Sequence, residues 1–230
     1  MKHIVVLSGA GMSAESGIST FRDSGGLWEQ HSIEDVATPE GFRRNPQLVL
    51  DFYNARRKAA FDALPNEGHI GVAEMEKDFK VSVFTQNVDN LHERAGSTNV
   101  VHLHGELDKV RSTADPSLIY TLTADKPEIN LGDKCEKGSQ LRPHIVWFGE
   151  AVPMIEKAMR IVQTADILVV IGTSLNVYPA AGLLNYIKQG VPVYLIDPNE
   201  VKTYQPGIHF IRKGASEGVK ELRERLKLME

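Results

Sequence analysis

The 230 residues carry 26 Lys and Arg against 30 Asp and Glu, a formal net charge of −4 at pH 7, and one cysteine, Cys135. That balance excludes the electrostatic footprint of a non-specific nucleic-acid binder, and a single cysteine excludes an internal disulfide and agrees with a reducing compartment. No apolar run reaches the roughly 18 residues of a membrane span, and the start shows no charged segment leading into a small-residue cleavage site, so a cytoplasmic protein without nucleic-acid or membrane partners is expected.

Residues 3–7 form a short β-branched run that enters Gly9-Ala10-Gly11 and, past Ala14, Gly17. A buried strand that passes through glycines into a helix start makes a phosphate cradle, because backbone amides and the positive end of the helix dipole converge on an anion. The strict dehydrogenase spacing is not met. Ala14 stands in the third glycine's slot, Gly17 comes late, and no clean second strand ends in an acid about 20 residues on. A nucleotide site that does not serve hydride transfer is expected, with Phe21, Arg22 and the stretch to Trp28 extending the loop and Arg22 orienting phosphate.

Residues 33–78 read as helical, with Asn45 capping a helix whose first position is Pro46 and Asn66 capping another after Pro65. On the first of these, Tyr53 and Arg56 lie three apart and share a face. A guanidinium fork beside a phenol in an apolar channel suits an acyl group that ends in a carboxylate; the plainer alternative is a solvated basic face with an aromatic anchor.

Further β-branched runs follow at 81–85, 100–103, 167–172 and 191–197, as in the buried parallel strands of an open α/β sheet. Sites in such sheets gather at the strands' carboxyl ends, where this chain places Gln86, Asn87 and Asp89, then His104, then Gly172, Thr173 and Ser174, then Asp197. Residues 111–141 are polar and poor in periodicity. With 33–78 they are expected to form a small inserted domain against a Rossmann-like parallel sheet domain, helices on both faces, made of 1–32, 79–110 and 142–230. The cleft between the two is the natural substrate path.

Gly9-Ala10-Gly11 through Trp28, Thr85-Gln86-Asn87-Val88-Asp89-Asn90-Leu91-His92, His102-Leu103-His104-Gly105, Val146-Trp147-Phe148-Gly149-Glu150 and Gly172-Thr173-Ser174-Leu175 resemble, in order and spacing, the sirtuins, the NAD-dependent protein lysine deacylases. The match covers nearly the whole chain. The resemblance implies NAD as a consumed co-substrate, an acyl-lysine protein or peptide in the cleft, and nicotinamide and O-acyl-ADP-ribose as products. It places the general base at His104, with Asn87 positioning the nicotinamide ribose and its water, Gln86 on a ribose hydroxyl and Asp89 on the carboxamide. Gly9, Ala10, Gly11, Ala14, Phe21, Arg22, Trp28, Gly172, Thr173, Ser174, Asp197 and Ala215 complete the implied cofactor-binding set. Val146, Phe148 and Gly149 border the substrate peptide, which extended segments hold by strand addition.

The residue types fit that chemistry. An imidazole titrates near working pH and suits proton abstraction from a ribose hydroxyl, while His102, two residues earlier on the same strand face, reads as a supporting group. The Tyr53/Arg56 pair resembles that of sirtuins which remove succinyl, malonyl or glutaryl groups, so desuccinylase and demalonylase activity is expected ahead of deacetylation. Many sirtuins hold a structural zinc with four cysteines; here only Cys135 is present, so zinc is expected to be absent and residues 111–141 to hold together by packing. An improvised site in which His144 and nearby acids help Cys135 is the lesser alternative. Two other readings stay open: an NAD-consuming ADP-ribosyltransferase, and an NAD-sensing binding module, the latter disfavoured by His104, Asn87 and Asp89 together.

Overall fold

A computed structural model describes residues 1–18, 31–175, 178–201 and 206–228, so Phe21, Arg22 and Trp28 lie outside the described residues. Six parallel strands make the larger sheet: β1 (His3–Ser8), β2 (Lys80–Thr85), β3 (Val100–His102), β7 (Ile167–Ile171), β8 (Val193–Ile196) and β9 (Ile208–Ile211), in the order β3-β2-β1-β7-β8-β9. The central strands are buried on both faces, which is why they read as unbroken aliphatic runs rather than alternating ones. Ile4 and Val6 of β1 pack to one side with Val72, Val219 and Leu222, while Val5 and Leu7 pack to the other with Ala158, Val162 and Leu183.

One face is covered by α5 (Glu67–Glu74) and α8 (Ala215–Lys227), the other by α7 (Ile155–Val162) and the 3₁₀ turn Ala180–Tyr186. Strand order reverses beside β1, whose partners are β2 on one side and β7 on the other, so a crevice for ligand is set at the carboxyl ends of β1 and β7. The first turn there is α1 (Gly11–Ala14).

Between β1 and β2 run α2 (Ile33–Val36), α3 (Pro39–Arg44) and α4 (Pro46–Asp62) ahead of α5. Asn45 caps α4 by accepting the Leu48 amide, with Pro46 at the first position, and Asn66 caps α5 through the Gly68 and His69 amides. A short α6 (Leu91–Arg94) follows β2.

An antiparallel sheet in the order β5-β4-β6 is built from β4 (Gly105–Ser112), β5 (Ile119–Thr121) and β6 (Leu141–Ile145), within and beside the polar segment that showed no periodicity in the sequence. It packs on α4: Leu107, Ile145 and Trp147 meet Val49, Phe52 and Tyr53, and Val110 and Ile129 meet Leu50. α5 lies on the large sheet with α8, because Val72 and Met75 join the core of that face, and β4 leaves the large sheet at Gly105.

Candidate active site at the strand ends

The turns after β1 and β7 touch. The Gly9 amide donates to the Ile171 carbonyl and the Gly11 amide to the Gly172 carbonyl, both at 2.9 Å. A side chain on Gly9 would come within 2.7 Å of Thr173 Cβ, and one on Gly11 within 2.7 Å of Gly172 Cα. Close approach of two backbones is therefore what the glycines serve. The amides of Gly9, Gly11, Met12 and Ser13 are all spent on protein carbonyls, whereas the Ala10 amide has no acceptor among the described residues. Ala14 follows, exposed, within α1.

Past β2, Gln86 donates from Nε2 to Thr173 Oγ1 at 3.0 Å, joining the second and fourth strand ends that the sequence singled out. Asn87 and Asp89 are buried and share one hydroxyl: Asn87 Nδ2 donates to Ser13 Oγ at 3.0 Å, and Ser13 Oγ donates to Asp89 Oδ2 at 3.0 Å. Asp89 Oδ1 accepts the Leu91 amide at 3.2 Å. Burial pushes the Asp89 carboxyl above the usual range, while the Leu91 amide and the Ser13 hydroxyl pull it back. Behind Ser13, 3.4 Å from its hydroxyl, lies Nε2 of the buried His69, whose Nδ1 accepts the Asn66 amide. Sequence reasoning passed over Ser13 and His69. The available signal was a polar residue inside a buried turn and a histidine three residues after a capping asparagine.

His102 supports Asn87 from the far side. Its Nδ1 lies 2.9 Å from the Asn87 carbonyl and its Nε2 2.8 Å from Glu93 Oε1, two acceptors that call for a donor on each ring nitrogen. Burial works against that charge, but the Glu93 carboxylate outweighs it and the His102 pKa is raised. His104 differs. Its Nδ1 faces the Gln86 carbonyl at 3.1 Å, and burial lowers its pKa. Gly105 must follow it, since φ is +86° and a side chain there would strike the His144 carbonyl on β6.

Arg56 reaches a cavity of about 210 Å³ whose walls include Ser13, Asn87, Asp89, Val88 and Leu107. Its guanidinium carbon stands 5.5 Å from the Phe52 ring centroid and 5.9 Å from that of Tyr53. Burial lowers the Arg56 pKa, and Tyr53 and Asp89 raise it back. Tyr53 is buried, and its hydroxyl accepts the indole N–H of Trp147 at 3.1 Å.

Val146 and Phe148 donate their amides to the carbonyls of His104 and Ala37, while the Phe148 ring is exposed and Gly149 has φ of +88°. Thr173 is buried and Ser174 exposed on the β7 turn, and Leu175 beside them has φ of +55°, an uncommon conformation for a branched residue. Asp197 closes a local turn, Oδ1 accepting the Asn199 amide at 2.8 Å. Ala215 is the buried first residue of α8. Among the described residues no group of three or more His, Cys, Asp or Glu side chains is placed to hold a metal ion, and Cys135 Sγ instead faces Ser112 Oγ at 3.3 Å.

The Sir2 family model matches residues 9–179. An NAD-dependent protein deacylase of Bacteroides thetaiotaomicron is 63% identical over 230 residues, 98% of each chain, and one of Helicobacter pylori is 51% identical over 227 residues, again 98% of each. A solved Sir2 homologue in complex with NAD superposes with a TM-score of 0.89 at 42% identity, covering 99% of this chain and 90% of its own.

Proposed function

The chain belongs to the Sir2 family, and from that premise we propose that it is an NAD-dependent protein lysine deacylase that favours acyl groups ending in a carboxylate, succinyl and malonyl ahead of acetyl. The observation that carries the acyl preference is Arg56 in the wall of a cavity that Ala55, Ala59, Val88 and Leu107 make otherwise largely apolar. A guanidinium fork matches a carboxylate with two parallel hydrogen bonds, and an acetyl methyl offers it nothing to bind.

The polar groups on the cavity's other wall fit the amide and hydroxyls of NAD: Asn87 and Asp89 are buried, oriented by Ser13, and each keeps further hydrogen-bonding capacity. NAD supplies, on loss of nicotinamide, an electrophilic ribose carbon for the acyl oxygen to attack. This chain's part is to orient and to move protons. Asp89 and Asn87 hold fixed positions through Ser13, and His102 holds the Asn87 backbone. A carbonyl only accepts, so the Nδ1 proton of His104 is committed to Gln86, and Nε2 is the atom that takes a proton from a substrate hydroxyl. The Gly149 amide, which has no acceptor among the described residues, supports docking of an extended peptide beside β6.

The test is incubation of the purified protein with NAD and matched acetyl-, succinyl- and malonyl-lysine peptides, following peptide mass and nicotinamide release. Succinyl or malonyl removal well above acetyl removal is expected, and Arg56→Met should lose the former far more than the latter. A preference for acetyl would discard the carboxylate reading. Nicotinamide release without deacylation would turn the assignment to ADP-ribosyl transfer or NAD hydrolysis.

A further inference from the structure

Tyr53 is 2% exposed, and its hydroxyl has one partner, the indole nitrogen of Trp147 at 3.1 Å. An indole N–H can only donate, so the phenol oxygen accepts, and the phenol's own proton must go elsewhere. Among the described residues it has no acceptor. A buried hydroxyl proton without an acceptor is costly, and the Tyr53 ring stands beside Arg56, a side chain in the wall of the cavity.

Trp147 is itself held on three sides. Arg142 stacks its guanidinium carbon 3.4 Å from the indole centroid, and the same guanidinium bonds both oxygens of Glu150, at 2.7 and 3.1 Å. Glu150 Oε2 in turn accepts the Trp147 amide at 2.8 Å. Arg142 also donates to the Ile145 carbonyl at 3.0 Å, tying the clamp to the end of β6. Phe42 closes the remaining side, with its ring centroid 5.4 Å away. The indole therefore has little freedom to turn its N–H away from Tyr53.

We propose that Trp147 is a positioning residue for acyl specificity: by occupying an acceptor site of the Tyr53 hydroxyl, it directs the phenol proton into the acyl cavity as a second donor, beside Arg56, for a substrate carboxylate. The proposal rests on the carboxylate reading of the cavity given above. Arg56 supplies charge, Tyr53 supplies a directed donor, and the Glu150–Arg142–Trp147 clamp fixes its direction from the small sheet. No bond is made or broken at Trp147.

The experiment compares kcat/KM for succinyl- and acetyl-lysine peptides in the full chain, in Trp147→Phe, in Tyr53→Phe and in the double variant. Trp147→Phe keeps an aromatic ring and removes the donor. It is expected to lower the succinyl-to-acetyl ratio about tenfold, the worth of one hydrogen bond to a charged acceptor, and to do so mainly through a higher KM for the succinyl peptide. In the Tyr53→Phe background the same change should lower the ratio no further, because there is no hydroxyl left to direct. Should Trp147→Phe fold poorly, benzothienylalanine at position 147 keeps the bicyclic shape without the N–H and gives the same reading. Equal loss of both activities, or an additive double variant, overturns the role assigned to Trp147. Arg56→Met separates the two levels: if it leaves the ratio unchanged, the carboxylate reading has failed, and if it collapses the ratio while Trp147→Phe does not, only the positioning role has.

Discussion

The base role proposed for His104 rests on one hydrogen bond and on burial. The Gln86 carbonyl fixes the proton on Nδ1, and desolvation holds the pKa below the ordinary 6.5, so the lone pair on Nε2 is present at neutral pH without help from a carboxylate. His104→Ala is expected to reduce deacylation by at least about 100-fold while NAD affinity, measured by calorimetry, stays largely intact. Turnover near the wild-type rate would remove His104 from the chemistry. His104, Asn87 and Asp89 could be named from the sequence because each follows a strand in a fixed local motif, and the roles given to them are part of the proposal. The Trp147 to Tyr53 bond could not be, since its partners are 94 residues apart and each ring alone reads as core.

At the scale of elements, the central strands of the large sheet and both capped helices could be read because burial on two faces and the Asn-cap pattern leave local signatures. β9 was missed: His209 and Phe210 are exposed on a sheet edge, which dilutes the aliphatic run. β4 was missed because its register shifts between Gly105 and Val110, and the shift breaks the two-residue alternation that marks a half-buried strand. What holds this part to α4 is a side-chain clip invisible to periodicity. Asn54 donates to the Ile129 carbonyl at 2.9 Å and accepts its amide at 3.1 Å, while Arg57, fully buried, reaches the carbonyls of Leu107 and Pro127. Asn54→Ala strands these buried groups at a cost of about 3 kcal/mol. The melting temperature should fall by roughly 6–10 °C in a chain of this length, and a metal chelator should leave the wild-type curve where it is. A drop of a degree or less would mean that the apolar contacts of Leu50, Val110 and Ile129 suffice.

For the whole molecule, the buried histidines couple folding to pH. His69 and His92 lie edge to face, with ring centroids 4.9 Å apart, under the turn that carries Ser13. Burial lowers His69 to about 4, only partly offset by Glu15 and Glu93, and lowers His92 well below the ordinary value, with His69 and His102 adding to the effect. Their hydrogen bonds agree: Nδ1 of His69 accepts an amide, Nε2 of His92 donates to Ser8 Oγ, and Nδ1 of His92 has no partner among the described residues, so both rings are neutral. Each therefore binds a proton in the unfolded chain at a pH where the folded chain refuses it, and stability rises with pH through that window. The two contribute in full above pH 6.5 and lose that contribution as the pH falls below it, His69 on the order of 1 kcal/mol by pH 5.5. His102, raised by Glu93, acts in the opposite sense, while burial lowers His3, His104 and His144 as it does the pair. A fall in melting temperature of several degrees between pH 7.5 and 5.5 is expected, in a range where ordinary carboxylates have yet to titrate. His69→Gln, which can still donate to Ser13, should flatten that slope. A wild-type curve already flat over this range would mean that the pair is protonated in the folded protein, and that the contact between His69 and Ser13 is not what holds Asn87 and Asp89 in place.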